Sequence, residues 1–499
     1  MRHAKPSILQ VSTRDIGGGA EKVALELHRA YRSLGHDAQL AVGFRKINDA
    51  TILTLPHHRM SRRIKGLCWR IHAAMQPYYA RSGLARRIAR TAHALAEPRN
   101  ARDRSAGRED FHYPGISNLM NSWSAPPEVI HLHNLHGGYF DLRALPRLCR
   151  VASVFLTLHD AWLFSGHCAH ALACERWRTG CGACPDLTLY PAIARDATAE
   201  NWMRKRDILA GCRLRVATPC QWLLDRARSS LLAPAMLESR VIPYGVDLTC
   251  FRPGDQAAAR AALGIDPDAQ VLMFAANGIR NNVWKDFATL RAALARIADR
   301  QENQRLLMLA VGESAPDEMI GSARIQFVPF QDDPRIMTRY FQAADIYVHA
   351  ARADTFPNSI LEALACGTPV AATAVGGIPE QIQSARPCDG VSPATAEAAE
   401  TDGPTGWLVP PHDPVALAAA ITWLLDNPDL RRKLGRSAAV TARRRFDLQR
   451  QTRDYLSWYH DACSCGPAGS PVKNTVLPPA TRDFRDLLSV LATHAGTQT

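Results

Sequence analysis

The sequence predicts an α/β protein of two parallel-sheet domains facing each other across a cleft. Three observations predict it. Short apolar runs alternate with helical stretches from the start of the chain, the alternation restarts near residue 271, and a turn-rich linker separates the two series. The carboxyl ends of the strands in two such sheets face one cleft, the usual ligand site of this architecture.

The first series opens with the strand Ile8-Leu9-Gln10-Val11 and the loop Gly17-Gly18-Gly19-Ala20-Glu21. Val23, Leu27, Ala30, Tyr31 and Leu34 then recur at helical spacing until Gly35-His36 ends the helix. Further strands are read at 38–42, 129–132, 154–158, 215–218 and 241–242. Pro243-Tyr244-Gly245-Val246-Asp247 and Phe251-Arg252-Pro253-Gly254 have the turn chemistry of a hinge. The second series has strands at 271–275, 306–311, 325–328, 346–348, 369–372 and 406–409. These readings divide the chain into a first domain over 1–242, a second over 243–440 and a helix over 441–463 that returns to the first. Within the first domain stand a basic helical insertion at about 56–125 and a cysteine-rich segment at 165–186. Residues 97–126 read as polar with little periodicity, 384–404 as a flexible loop and 464–499 as a poorly ordered tail.

Composition excludes other classes. The 499 residues are 46% apolar and 21% charged, the profile of a folded soluble chain rather than a disordered or collagen-like one. No apolar run reaches the length of a membrane span and the first residues lack a signal core, so a cytosolic protein is expected. Thirteen cysteines, only one group of them tightly spaced, argue against a secreted disulfide scaffold. The net charge of +13 is localised: residues 51–96 carry nine Arg or Lys and no acid, and 431–446 carry seven and no acid. Without these sixteen cations the rest of the chain stands at −3.

The stretch from Asp345 to Glu380 carries the most chemistry. A strand ends in a loop that enters a helix near Asn358-Ser359, whose free first-turn amides suit a diphosphate. Asp354 and Glu362, eight residues apart, are placed to accept hydrogen bonds from sugar hydroxyls. An ordinary βα junction has the same pattern. Arg280 and Lys285 follow the strand at 271–275 and are suited to neutralise a departing phosphate without a metal, or to form a solvated pair. Gly18 and Gly19 let backbone approach a ligand closely. His131, His133 and His136 surround one strand exit and His159-Asp160 another, where a histidine binds a sugar hydroxyl, relays a proton or sits satisfied in the core; position at the cleft edge favours His159. Asp266-Pro267-Asp268 reads as a structural turn.

Over about 6–50 and 126–460 these residues resemble the retaining glycosyltransferases of family 4, which have the GT-B fold of two Rossmann-like domains. The shared motifs are the Gly-Gly-Ala-Glu loop and its helix, Ile242-Pro243-Tyr244-Gly245-Val246-Asp247, the Arg280/Lys285 spacing, and Asp354 to Glu362 followed by Gly367-Thr368-Pro369. The stretches 129–136, 156–162 and 165–168 look like the branch that builds colanic acid and similar exopolysaccharides. The resemblance implies that Arg280 and Lys285 bind the donor diphosphate, Glu362 the ribose, and the backbone of Phe356-Pro357-Asn358-Ser359 a phosphate. It implies further that Asp354 holds the transferred sugar, His159 contacts it near the reacting carbon, and Val328 and Phe330 flank the base. Asp354 stands where this family usually has Glu, and Ile279 and Asp286 stand where Gly is usual. The implied donor is a nucleotide sugar and no catalytic cofactor is required. Alternatives are a nucleotide-sugar epimerase and a non-catalytic basic binding protein.

Cys168, Cys174, Cys181 and Cys184 put four thiols within 17 residues, a spacing open to structural zinc, to reduced thiols, or to disulfide or redox use. In 59–96, Met60, Ile64, Leu67, Cys68, Ile71 and Met75 recur at helical spacing with arginines on the other face. That pattern suits an anionic membrane surface better than nucleic acid, or forms a solvated face. A lipid-linked saccharide acceptor would place the protein peripherally at the inner face of the cytoplasmic membrane.

Overall fold

The computed structural model describes residues 5–56, 70–71, 74–75, 82–299, 305–385 and 403–464. Two seven-stranded sheets form its centre. The first comprises β1 (Ile8–Arg14), β2 (Ala38–Phe44), β3 (Ile52–Thr54), β4 (Val129–Leu132), β5 (Ser153–Thr157), β6 (Leu214–Thr218) and β7 (Met236–Val241). Their order is β3-β2-β1-β4-β5-β6-β7 and every pair is parallel. The second comprises β8 (Gln270–Ala275), β9 (Leu306–Val311), β10 (Glu318–Ile320), β11 (Ala323–Val328), β12 (Ile346–His349), β13 (Val370–Thr373) and β14 (Gly406–Val409). Its order is β10-β11-β9-β8-β12-β13-β14, parallel except for β10 with β11. The central strands read as continuous apolar runs because helices cover both faces: β4, β5, β12 and β13 are buried along their whole length.

This order fixes where a ligand goes. Strand succession reverses between β1 and β4 in one sheet and between β8 and β12 in the other. At such a reversal the outgoing loops diverge and leave a crevice at the strand carboxyl ends. The loops leaving these four strands carry Gly17-Gly18-Gly19, His133-Asn134-Leu135-His136, Arg280 to Lys285, and Asp354 to Ser359. Helix starts follow local chemistry: Asp255, Asp286, Asp333 and Asp413 each accept first-turn backbone N–H groups, and Pro334 and Pro414 follow two of them.

Several sequence expectations are refined. The helix expected over 441–463 is the end of one helix, Pro428–Arg445, and a second, Leu448–Ser464, with the break at Phe446-Asp447. Asp447 accepts the Gln449 amide at 2.9 Å there, which starts the new helix. The second helix packs on the first sheet: Tyr455, Trp458 and Tyr459 are fully buried, and Trp458 meets Phe155 edge-on at 4.9 Å. The stretch 97–126 contains helices Pro98–Ser105 and Gly115–Ser122, whose few buried apolar positions hid their period. Helix Gly83–Ala96 buries Ala85, Ala89, Ala92 and Ala96 and exposes Leu84, Ile88 and Leu95. Most of the basic stretch before it, 57–69, 72–73 and 76–81, lies outside the described residues, as do 386–402 of the expected loop and 465–499 of the expected tail.

Candidate active site

Lys285 and Asp354 meet at the carboxyl end of the second sheet. The loop after β8 pairs with the loop after β12: the Asp286 amide donates to Ala350 O at 3.0 Å and the Arg352 amide to Trp284 O at 2.9 Å. This pairing sets Lys285 Nζ 2.5 Å from Asp354 Oδ2 and 3.1 Å from His349 Nε2. Tyr347 Oη bridges His349 Nδ1 at 3.1 Å and Ser359 Oγ at 2.7 Å. Burial opposes ionisation of Asp354, but Lys285 and His349 outweigh it and hold the carboxyl well below the usual carboxylate range. Burial, reinforced by Lys285, drives His349 down to about 4, so its ring is neutral at physiological pH.

The helix Asn358–Ala365 begins beside this pair with no side-chain cap, leaving its first-turn amides for a ligand. Thr355 Oγ1 and Asn358 Oδ1 are buried there without a partner among the described groups. Gly376 makes the approach possible: its φ is +57°, and a Cβ would sit 1.8 Å from Asp354 O. From the other sheet, Gly19 O accepts Asn358 Nδ2 at 3.1 Å, and a Cβ on Gly19 would lie 3.2 Å from that nitrogen. One turn further along, Lys22 Nζ stands 2.5 Å from Glu362 Oε1. Burial opposes the charge on Lys22, yet Glu362 and Glu26 raise its pKa above the ordinary lysine value. Burial also pushes Glu26 up to about 7.

Other expected residues are placed differently. Arg280 Nε lies 2.7 Å from Glu313 Oε1, and Glu313 Oε2 accepts the Ile279 and Arg280 amides at 2.7 and 2.9 Å. No described hydrogen bond joins Arg280 to the Lys285–Asp354 pair. His159 has both ring nitrogens engaged, Nε2 with His133 Nδ1 at 3.0 Å and Nδ1 with Tyr244 Oη at 2.6 Å. Burial lowers its pKa to about 4. Phe356 is buried against Tyr244. Pro357 O accepts Gln381 Nε2 at 3.1 Å. Val328 is buried, and its carbonyl accepts the Gly312 and Glu313 amides at 2.8 and 3.1 Å, while Phe330 is half exposed.

Sequence reasoning missed several partners. Lys22 sits one turn past the glycine loop, where helical spacing points it along the cleft edge. Glu313 immediately follows the exit of β9, the same kind of position that singled out Arg280. Glu380 bridges the halves by accepting the Gln221 and Trp222 amides at 2.7 and 2.8 Å, so an acid of the second half caps a helix of the first. His136 Nε2 lies 2.9 Å from Asp160 Oδ2; burial opposes protonation, but Asp160 raises the His136 pKa.

The family described as Glycosyl transferases group 1 matches residues 269–427, the segment that supplies Arg280, Lys285, Asp354 and Glu362. The chain carries a group 1 glycosyltransferase domain. Over 74% of its length this glycosyltransferase is 27% identical to the putative colanic acid biosynthesis glycosyl transferase WcaC of Escherichia coli, covering 83% of that protein. Its fold matches sucrose-phosphate synthase from Thermosynechococcus elongatus with a TM-score of 0.59 at 20% identity, covering 92% of this chain and all of that one. It also matches Anabaena HepE, solved in complex with UDP-glucose, with a TM-score of 0.54 at 15% identity, covering 91% of this chain and all of that one. Both are GT-B structures, and the transferase has that fold.

The four cysteines of the transferase line one pocket together with His167 and Trp177. The expected zinc site is not assembled there: among the described residues no group of three or more His, Cys, Asp or Glu side chains converges to hold a metal ion. Two of the sulfurs make polar contacts within the segment. Cys181 Sγ accepts the Gly166 amide at 3.2 Å, and Cys184 Sγ lies 3.4 Å from His167 Nε2 and 3.5 Å from Asp186 O. Burial raises the Cys168 and Cys181 thiols to about 11, which keeps them protonated in this arrangement. No described helix is long and apolar enough to cross a membrane.

Proposed function

We propose that the glycosyltransferase moves a sugar, with retention, from a nucleotide-diphosphate sugar to a lipid-linked saccharide acceptor in cell-envelope polysaccharide synthesis. The observation that carries this reading is the Lys285–Asp354 pair beside an uncapped helix N-terminus at the strand-order reversal of the second sheet. Such a terminus takes a diphosphate, and a fixed cation next to it stabilises the charge that builds on the leaving oxygen. The fold likeness to a protein solved with UDP-glucose supports the donor class, and the WcaC relative supports the polysaccharide setting. In this reading 1–242 is the acceptor-side domain and 243–440 the donor-side domain.

The chemistry follows from the groups present. The acceptor hydroxyl attacks the anomeric carbon on the face from which the diphosphate departs. The C–O bond to the diphosphate breaks as the new glycosidic C–O bond forms, and the leaving phosphate oxygen takes the hydroxyl proton. Asp354 is already engaged by Lys285 and His349, so it orients sugar hydroxyls rather than attacking carbon. Arg280 reaches the diphosphate by exchanging its Glu313 contact for phosphate. The second oxygen of Glu362 is outside the Lys22 contact and takes the ribose hydroxyl. Neither the epimerase nor the non-catalytic alternative is favoured.

A panel of nucleotide sugars in a thermal-shift assay tests the donor. One nucleotide sugar is expected to raise the unfolding midpoint, since a ligand at about a hundred times its Kd adds about 2.7 kcal/mol to the bound state. Uniform midpoints across the panel would remove the donor assignment. The acceptor-side reading has its own test. Helix Gly83–Ala96 presents Leu84, Ile88 and Leu95 to solvent beside exposed Arg87, an arrangement suited to an anionic lipid surface. Wild-type protein is expected to sediment with phosphatidylglycerol vesicles, and a variant with Arg62, Arg63, Arg70, Arg86 and Arg87 changed to Glu is expected to stay in the supernatant. Equal sedimentation of the two would sink the membrane reading.

A further inference from the structure

The connection from β5 to the helix Thr198–Leu209 is long, strained and tightly held. Leu172, Cys181 and Ala183 have positive φ of 49°, 55° and 44°, a left-handed conformation that side chains other than glycine avoid. Such backbone persists only where the surroundings over-determine it. Here they do: Trp177 is 1% exposed with its carbonyl accepting Trp202 Nε1 at 2.8 Å, and the Cys184 amide donates to Asp196 at 2.7 Å. Beneath the segment, fully buried Lys205 donates to Trp162 O at 2.7 Å and Ser165 O at 3.1 Å.

The segment reaches across the cleft. The Ala161 amide donates to Ala169 O at 2.8 Å, and the Ala169 amide to Tyr190 O at 2.8 Å, which pins residue 169 beside Asp160. The next side chain, His170, packs against Trp284 of the opposite half with ring centroids 5.0 Å apart. Trp284 directly precedes Lys285, and its carbonyl holds Arg352 two residues before Asp354. His170 therefore stands where the first half meets the Lys285–Asp354 pair, and Asp160, Asp354, Lys285 and Arg226 are the charged groups whose fields act on it.

We infer that the cysteine-bearing segment is an arm that holds His170 in the donor site, where its imidazole hydrogen bonds a hydroxyl of the transferred sugar. The inference rests on the nucleotide-sugar reading above. The competing histidines are more engaged or more enclosed: His159 uses both nitrogens, His136 has Nε2 on Asp160 and Nδ1 3.4 Å from Tyr190 Oη, and His133 uses Nδ1 on His159 and is fully buried with Nε2 unpartnered. Among the described residues no hydrogen bond reaches either ring nitrogen of His170, and the residue keeps partial exposure. Burial lowers its pKa, so the ring is neutral and offers one donor and one acceptor to a polyol. Cys168, Cys174, Cys181 and Cys184 then have a function at one remove: lining one pocket within the arm, they set its path rather than touching sugar.

Calorimetric binding of the free nucleoside diphosphate and of the matching nucleotide sugar to wild type, His170→Ala and His170→Asn tests this. All three are expected to bind the diphosphate within about twofold. His170→Ala is expected to lose about five- to tenfold in nucleotide-sugar affinity, the size of one neutral hydrogen bond, and His170→Asn to recover part of it. Donor KM should rise with kcat nearly unchanged, and one deoxy-sugar donor should bind wild type and His170→Ala equally. If His170→Ala keeps the full affinity for the sugar, the inference is overturned while the donor reading stands. If it loses diphosphate and sugar binding alike with a lowered midpoint, His170 is only structural and the inference is overturned. If wild type binds no nucleoside diphosphate, the donor reading fails and this inference with it.

Discussion

Lys285→Ala is expected to lower kcat by about a hundred- to a thousandfold, roughly 3–4 kcal/mol of transition-state stabilisation. Lys285 is paired with Asp354 in the loop that leads into the uncapped helix, and its side chain is only 12% exposed, so little water screens it. Charge builds on the leaving phosphate as the glycosidic bond breaks, and helix amides alone supply only partial charge there. Arg280 does not replace it, because no described hydrogen bond joins it to the Lys285–Asp354 pair and its side chain is 40% exposed, so water screens its charge more. Removing the ammonium also releases Asp354 from its partner and loosens the group that orients the sugar. Lys285→Arg is expected to restore little turnover, since a planar fork does not fit the position between Asp354 and His349. Turnover of the alanine variant within threefold of wild type, on whichever donor and acceptor pair proves active, would refute the role given to Lys285.

Lys205→Met is expected to destabilise the first half by about 3–5 kcal/mol, the usual cost of leaving one member of a buried ion pair behind. Lys205 is fully buried, lies 2.8 Å from Glu109 Oε1 and 3.9 Å from the centroid of the Trp162 ring, and satisfies two carbonyls. Glu109 Oε2 already lacks a partner, and burial pushes this carboxyl up to about 7 despite the lysine. The unfolding midpoint should fall by roughly 10 °C for a unit of this size. A second change, Glu109→Gln, should recover part of the loss by removing the stranded carboxylate. An unchanged midpoint in Lys205→Met would show that the pair contributes no stability.

How much of this was legible in the sequence depends on the range of the interaction. The parallel strands were readable because a strand covered on both faces is a continuous apolar run, and β4, β5, β8, β9, β12 and β13 all are. The edge strand β7 was missed apart from its last residue because its side chains are only partly buried. Helices Pro98–Ser105 and Gly115–Ser122 escaped for the same reason. In the site, Lys285 and Asp354 were nominated separately by their positions after strands, and the 2.5 Å contact between residues 69 apart needed the fold. Lys22 with Glu362, 340 residues apart, left no local trace. The four cysteines raised a zinc expectation from their spacing; the fold gathers them around one pocket, without a group of three or more metal-ligating side chains among the described residues.

The sequence alone determined that this chain has two α/β halves, which loops end at the cleft, and that a cationic pair follows one strand and a helix start follows another. Those are properties of period, capping and turn chemistry within about twenty residues, and water and the backbone enforce them locally. Only the tertiary structure decided which groups pair. It gave both nitrogens of His159 to His133 and Tyr244, gave Arg280 to Glu313, laid Lys22 on Glu362, and brought His170 against Trp284. Each of those choices joins side chains from distant segments, and a buried polar group takes whichever partner the packing of the two sheets brings within 3 Å.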